Sequence, residues 1–195
     1  MRVVVVVAHP DPDSFNHAIA STALDSLTRA GHDVTVLDLY AEEFRAAMSH
    51  HEQLAYHGDR PLLDPMAERH AGIIKRAEAL VFVYPTWWST VPAILKGWLE
   101  RVLVPGVGFV FDEHQRVRRG LTDVRRVVGI STYRSTRLYV KVLNDNGRRT
   151  LMRALRLNTA LVTRRSWLAL YKVDNCSLAQ RQAFLKRVDQ KMRAL

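Results

Sequence analysis

Two short stretches carry the residue types best able to do chemistry. The first is AHPDPDSFN, residues 8–16, which follows five consecutive valines. His9 can donate a hydrogen bond from a ring nitrogen, and Ser14 and Asn16 can donate from their side chains. Together they can hold a phosphate at the mouth of the helix that follows, where free backbone N–H groups and a partial positive charge already favour an anion. Asp11 and Asp13 oppose an anion unless they point away, and Asp13 is placed to cap the helix. The plainer account is a proline-rich turn with a capping aspartate and a packed histidine. The second stretch is VYPTWWSTVPAILKGWLERVL, residues 83–103. Trp87 and Trp88 supply a flat apolar wall suited to a planar ring, and the backbone N–H groups of Thr86, Trp87 and Trp88 can meet that ring's polar edge. The alternative is that both indoles are core or dimer contacts.

Chemistry at these places requires elements that bring them together. Val3–Val7, Asp33–Leu39, Ala79–Tyr84 and Val127–Thr132 read as β-branched strands, and 161–170 contains a fifth. Helical periods cover Asn16–Ala30, Pro92–Val104 and Ser177–Ala194, and 138–157 is helical with an interruption near Asn144–Gly147. Strands alternating with helices, with apolar residues on both faces, give a parallel sheet covered on each side. The expected fold is one α/β domain over 1–195, doubly wound, with a five-stranded parallel sheet in the flavodoxin-like order 2-1-3-4-5. In such a sheet ligands sit beyond the carboxyl ends of the strands, where both stretches fall. The segment 41–70 breaks the rhythm. It is read as a surface excursion, a lid or a subunit contact; His50, His51, His57 and His70 show no regular metal spacing, and no metal site is assigned.

Composition narrows the classes. Of 195 residues, 48% are apolar, enough for a full core, and no apolar run approaches the length of a membrane span. Met1-Arg2 and five valines lack the form of a signal peptide. The single cysteine, Cys176, fits a reducing compartment, so a cytoplasmic location is expected, and it is given a structural role. The net charge of +10 is concentrated after Arg116, but its basic runs lack interleaved aromatics and no nucleic-acid-binding motif appears. A phosphorylated small molecule or a solvated basic face accounts for it. G-x-G-x-x-G and P-loop patterns are absent from the first loop.

AHPxxxSFN together with YPxWWxxxPAxLKGWxERV resembles the NAD(P)H:quinone oxidoreductases of the flavodoxin-like superfamily, which include the modulators of drug activity and the potassium-efflux ancillary proteins. The likeness runs to about Thr132. It implies a tightly bound flavin, a homodimer, and two-electron ping-pong reduction of quinones or related acceptors by NAD(P)H. Carried over by position, His9, Ser14, Phe15 and Asn16 are flavin phosphate or ribityl contacts; Pro85, Thr86, Trp87 and Trp88 are ring contacts; Ser131 and Thr132 belong to the next loop. FAD is favoured over FMN because Ser-Phe-Asn accompanies it in many relatives. Many members carry T-T-G-G after the fourth strand, whereas here Tyr133 and Arg134 replace the two glycines. Tyr139 matches a family tyrosine near the ring, and Asp145 stands where some members carry a substrate-side histidine. Tyr139, Tyr133 and Arg134 are the candidate catalytic residues, able to meet negative charge on the reduced ring. Trp98, Glu100 and Arg101 are read as packing and subunit contacts, with helix charges solvated. A flavin-binding electron carrier without its own turnover is the second reading. AHPD also resembles the start of zinc-dependent sugar deacetylases, but Pro12 stands where they need an acidic metal ligand.

Overall fold

The computed structural model describes residues 1–195. Five parallel strands form the central sheet: β1 (Arg2–Val7), β2 (Asp33–Asp38), β3 (Ala79–Pro85), β6 (Arg126–Thr132) and β7 (Arg164–Leu170), in the order β2-β1-β3-β6-β7. In terms of the parallel strands alone this is 2-1-3-4-5. The valine run of β1 is flanked on both sides, with Val3–Val7 paired to Ala79–Val83 of the central strand β3 and to Val34–Asp38 of β2. Successive side chains point to opposite faces. Val3, Val5 and Val7 therefore join α1 (Phe15–Arg29) and α7 (Leu178–Arg193) in one core, through Ile19, Leu27, Phe184 and Val188. Val4 and Val6 join α3 (Pro65–Lys75) and α4 (Ala93–Val102) in the other, through Ile74, Phe82, Leu95 and Trp98. A β-branched strand with no polar face is the local sequence that two-sided burial requires.

The cap of α1 is Ser14, not Asp13. The Asp11 carboxylate accepts the N–H of Asp13 at 2.9 Å and turns the loop, so that the next residue, Ser14, accepts the His17 N–H at 3.3 Å. The segment 41–70 is also more ordered than a surface excursion. It forms α2 (His50–Ala55), opened by a Ser49/Glu52 capping box, and leads into α3, capped by Asp64. Phe44, Glu52, Ala67 and His70 are buried. Arg101 of α4 reaches into this layer, donating from Nε to Glu52 at 2.8 Å and from Nη2 to Asp64 at 2.9 Å, and it also bonds the Arg45 carbonyl. The expectation of solvated helix charges fails here because α4 is covered by a second layer; only Glu100, paired with Lys96, lies on the exposed side. Trp98 is fully buried and donates its indole N–H to His70 Nδ1 at 3.0 Å.

Two further features were not legible. An antiparallel hairpin, β4 (Phe109–Phe111) and β5 (Val117–Arg119), follows α4. The helical stretch after β6 is divided into α5 (Arg137–Val142), α6 (Asn146–Arg149), a π-helical turn over Thr150–Ala154 and a 3-10 turn over Leu155–Asn158. Between α5 and α6, Asn144 and Asp145 take left-handed conformations at φ 73° and 42°. Asn and Asp tolerate that region better than other non-glycine residues. Its effect is to turn the Asp145 side chain back toward the sheet.

Candidate functional site

Three loops meet beyond the carboxyl ends of β1, β3 and β6. Hydrogen bonds lock them together: Asn16 Nδ2 donates to Thr132 Oγ1 at 3.1 Å, the Thr86 and Ser131 hydroxyls lie 2.8 Å apart, and the Thr86 N–H donates to the Thr132 carbonyl at 2.8 Å. Asn16, Ser131 and Thr132 are buried, and Pro85 closes β3 in the core.

The tryptophan loop is a tight turn. Trp87 and Thr90 exchange backbone hydrogen bonds at 3.2 and 3.0 Å, and Trp88 and Ser89 occupy the corner at φ 48° and 58°. Positive φ at both central positions is the type I′ geometry, normally given to Asn and Gly. A tryptophan held there is strained by roughly 1–3 kcal/mol. At this corner the Trp88 side chain is fully exposed, while Trp87 is 38% exposed. The indoles are thus not core residues. The backbone expectation needs correction: the N–H groups of Thr86 and Trp87 are used by the loop itself, which leaves that of Trp88.

A cavity of about 470 Å³ opens beside this turn, lined by Thr86, Trp87, Trp88, Tyr133, Tyr139 and Asp145, with Arg134 also on its wall. Tyr133 does not fill the space where two glycines were expected. Its ring turns into the wall, 2% exposed and stacked on Tyr171 with centroids 4.9 Å apart, and its hydroxyl donates to Asp145 at 2.9 Å. Burial, and then the Asp145 carboxylate, hold its phenol far above the ordinary tyrosine range, so it stays an O–H donor. Arg134 is exposed and tied to Asp174 at 2.5 Å. Tyr139 stands half-exposed at the mouth. Asp145, noted in the sequence only by its alignment, is brought to the cleft by the break between two short helices.

The first loop lies to one side. Ser14, with Asp13 and His17, lines a separate hollow along β1 and β2. His9 connects the two places, its ring 6.0 Å from that of Trp87. Burial lowers the His9 pKa and favours the neutral ring. Its Nδ1 lies 3.1 Å from the Asp11 N–H and 3.2 Å from the Asp11 carbonyl, so the loop engages Nδ1, and Nε2 has no protein hydrogen-bond partner. Phe15 points elsewhere: its ring packs on Phe184 and beneath Arg181. Two buried polar atoms near the loops have no partner, Asn16 Oδ1 and the Tyr84 hydroxyl. Orphan groups of this kind are uncommon in folded proteins. No group of three or more His, Cys, Asp or Glu is placed to hold a metal ion, and no helix is long and apolar enough to cross a membrane.

A family model described as flavodoxin-like fold matches residues 1–185. Among curated proteins, the chain is 33% identical over 134 residues to a ribosyldihydronicotinamide dehydrogenase-like protein of Penicillium crustosum, covering 62% of this chain and 50% of that one. It is 31% identical over 157 residues to the human ribosyldihydronicotinamide dehydrogenase [quinone], covering 72% and 67%. The chain therefore spans about half to two thirds of the length of these relatives. Among solved structures, the NAD(P)H:quinone oxidoreductase of Methanothermobacter marburgensis superposes with a TM-score of 0.81 at 26% identity, covering 99% of this chain and 96% of that one.

Proposed function

The chain belongs to the flavodoxin-like fold family, and from that premise we propose that it is a flavin-dependent NAD(P)H oxidoreductase reducing quinones or related electrophilic acceptors by two electrons. The names of its relatives support the reading. The observation that carries it is the strained turn that holds Trp87 and Trp88 out of the core, beside an open cleft at the carboxyl ends of the strands. An exposed indole costs free energy unless something flat covers it. The residues fit a flavin: an apolar wall, the free Trp88 N–H, the orphan Asn16 carbonyl oxygen buried beside the loops, and a largely neutral His9 whose Nε2 has no protein partner.

The flavin, when bound, supplies the hydride chemistry between nicotinamide and acceptor. The protein's own part is positioning. Asn16 and Thr132, bonded to each other beneath the cleft, fix the loops that frame it, and Trp87 and Trp88 form its ring side. Tyr133 donates to Asp145 and so fixes one oxygen of a carboxylate that lines the cleft, where it can accept a hydrogen bond from a bound acceptor or nucleotide. Tyr139 closes the mouth and can donate to an acceptor oxygen. Tyr133 lies folded into the wall, which leaves room for a small planar acceptor and favours turnover over a carrier role. The reading includes FAD, supported by Ser14-Phe15-Asn16; a homodimer, supported by the uncovered Trp88; and a cytoplasmic setting, supported by one unpaired cysteine.

The test is anaerobic. Purified protein shows flavin absorbance, NADPH or NADH bleaches it, and a quinone restores it. Absorbance that neither nucleotide bleaches overturns the reductase reading. Mass analysis of the extracted cofactor distinguishes FAD from FMN, and solution scattering gives the oligomeric state.

A further inference from the structure

A second hollow lies next to the indole cleft and is lined by different residues for most of its extent. It has a volume of about 660 Å³ and runs along the face of β7 beneath α5, α6 and the π-helical turn. Six cations line it: Arg137, Lys141, Arg148, Arg149, Arg153 and Arg165. Asp145 is the one carboxylate among them. Elsewhere in the molecule Arg101 pairs with Glu52 and Asp64, Arg116 and Arg118 with Asp112, Arg134 with Asp174 and Arg193 with Asp189. None of the six has a carboxylate partner within ion-pair distance, and only Arg165 is tied down, donating to the Met152 carbonyl at 2.5 Å. All six are exposed, so solvent screens their mutual repulsion, and the positive field they make together over one hollow favours an anion there.

The cleft is not only charged. Trp167 and Tyr171 give it an aromatic side, and the indole N–H of Trp167 has no acceptor in the protein. Val140 and Asp145 line both this cleft and the indole cleft, so the two are neighbours. From Arg165 to Tyr171 the strand spans roughly 20 Å at the usual rise per residue. A ligand that uses both clefts has a planar reactive end, a long body and several phosphates.

We propose that this cleft binds the phosphate-bearing adenosine half of the nicotinamide donor, with the arginines of α6 and the π-helical turn selecting its 2′-phosphate, so that the protein prefers NADPH to NADH. This rests on the reductase reading and adds residues and a preference to it. A pyrophosphate brings two negative charges and a 2′-phosphomonoester about two more at neutral pH, which comes closer to the net positive lining of six cations and one carboxylate. Guanidinium groups suit it because they meet phosphate oxygens in pairs.

The test compares the wild type with Arg148→Ala/Arg149→Ala/Arg153→Ala, using both turnover and binding. By calorimetry, wild type binds 2′,5′-ADP at least about 10-fold more tightly than 5′-AMP, and salt weakens the binding. The triple variant loses about 10-fold or more of the 2′,5′-ADP affinity and of kcat/KM for NADPH, and loses less with NADH. Flavin absorbance of the variant checks that it has folded. Equal binding of 2′,5′-ADP and 5′-AMP to wild type overturns the proposal, as does an unchanged NADPH KM in the variant while flavin reduction proceeds. Should neither nucleotide reduce the flavin, the reductase reading fails by itself. The 2′,5′-ADP titration then still decides whether the cleft takes a 2′-phosphate.

Discussion

Two arginine-rich regions of this protein have opposite fates. Around α2 and α3, Arg101 is buried, with Glu52 and Asp64 as partners and the exposed Arg45 nearby. Along α5, α6 and β7, Arg137, Lys141, Arg148, Arg149 and Arg153 line an open cleft without carboxylate partners. The residue type is the same, but the first set is a closed device that fastens a covering layer to α4, and the second is a field left for something else to satisfy. Burial and pairing, not composition, distinguish the two regions.

The largest effect tests the closed cluster. Arg101→Ala leaves two carboxylates without their buried cation and lowers stability by about 3–5 kcal/mol, read from denaturant unfolding. A loss under about 1 kcal/mol would show that water replaces the guanidinium and that the contrast is false. Next is Gly129→Ala. A Cβ there would lie 2.2 Å from Cζ3 of Trp167, a ring that cannot yield without moving. The change costs about 1–3 kcal/mol through overpacking. It also shifts Trp167 toward the basic cleft, visible as altered indole fluorescence and weaker 2′,5′-ADP binding.

Acid gives a third separation. Burial raises the pKa of Glu52, but hydrogen bonds from Ser49 and Arg101 outweigh it, and the net shift is downward from 4.5. For Asp64, burial is likewise outweighed, by the Ala67 N–H and Arg101, and the net shift is downward from 3.8. A carboxylate whose folded pKa is depressed adds stability above its unfolded pKa and loses it as pH falls through the folded one. Wild-type stability should therefore begin to fall near pH 4.5 and continue down through the lowered values, and Arg101→Ala should flatten that decline. A decline of equal steepness in both proteins places the acid sensitivity elsewhere.

Smaller effects concern the open regions. Trp88→Gly removes a side chain from a left-handed corner and stabilises the protein by up to about 1 kcal/mol. It also weakens retention of flavin, measured as absorbance left after dialysis. Smallest is Arg149→Glu, which changes unfolding free energy by no more than about 0.5 kcal/mol, in contrast to Arg101. A large loss would mean that the basic cleft, too, is structural.

Much of the frame was legible in the residues. The valine run, the alternation of strands and helices and the Trp-Trp stretch at a strand's carboxyl end led to the sheet order and the position of the cleft. Charge on α4 was misread because a helix's pattern shows which face is polar but not that another layer will cover that face. Asp13 lost the cap to Ser14 because an Asx turn shifts the chain by one residue, and propensity does not resolve such a shift. The hairpin β4–β5 was missed because two three-residue strands carry too little periodicity to register.

Local sequence by itself determined what local physics controls: which segments are buried on both faces, where helices begin and break, and where two indoles meet the sheet's edge. Only the tertiary structure decided which charges find partners, that Tyr133 turns into the wall instead of filling the cleft, and that a left-handed step at Asn144–Asp145 brings a carboxylate between two cavities. These outcomes depend on contacts between residues far apart in the chain, such as Arg101 with Glu52 and Gly129 with Trp167. Their free energies appear only once the layers have closed.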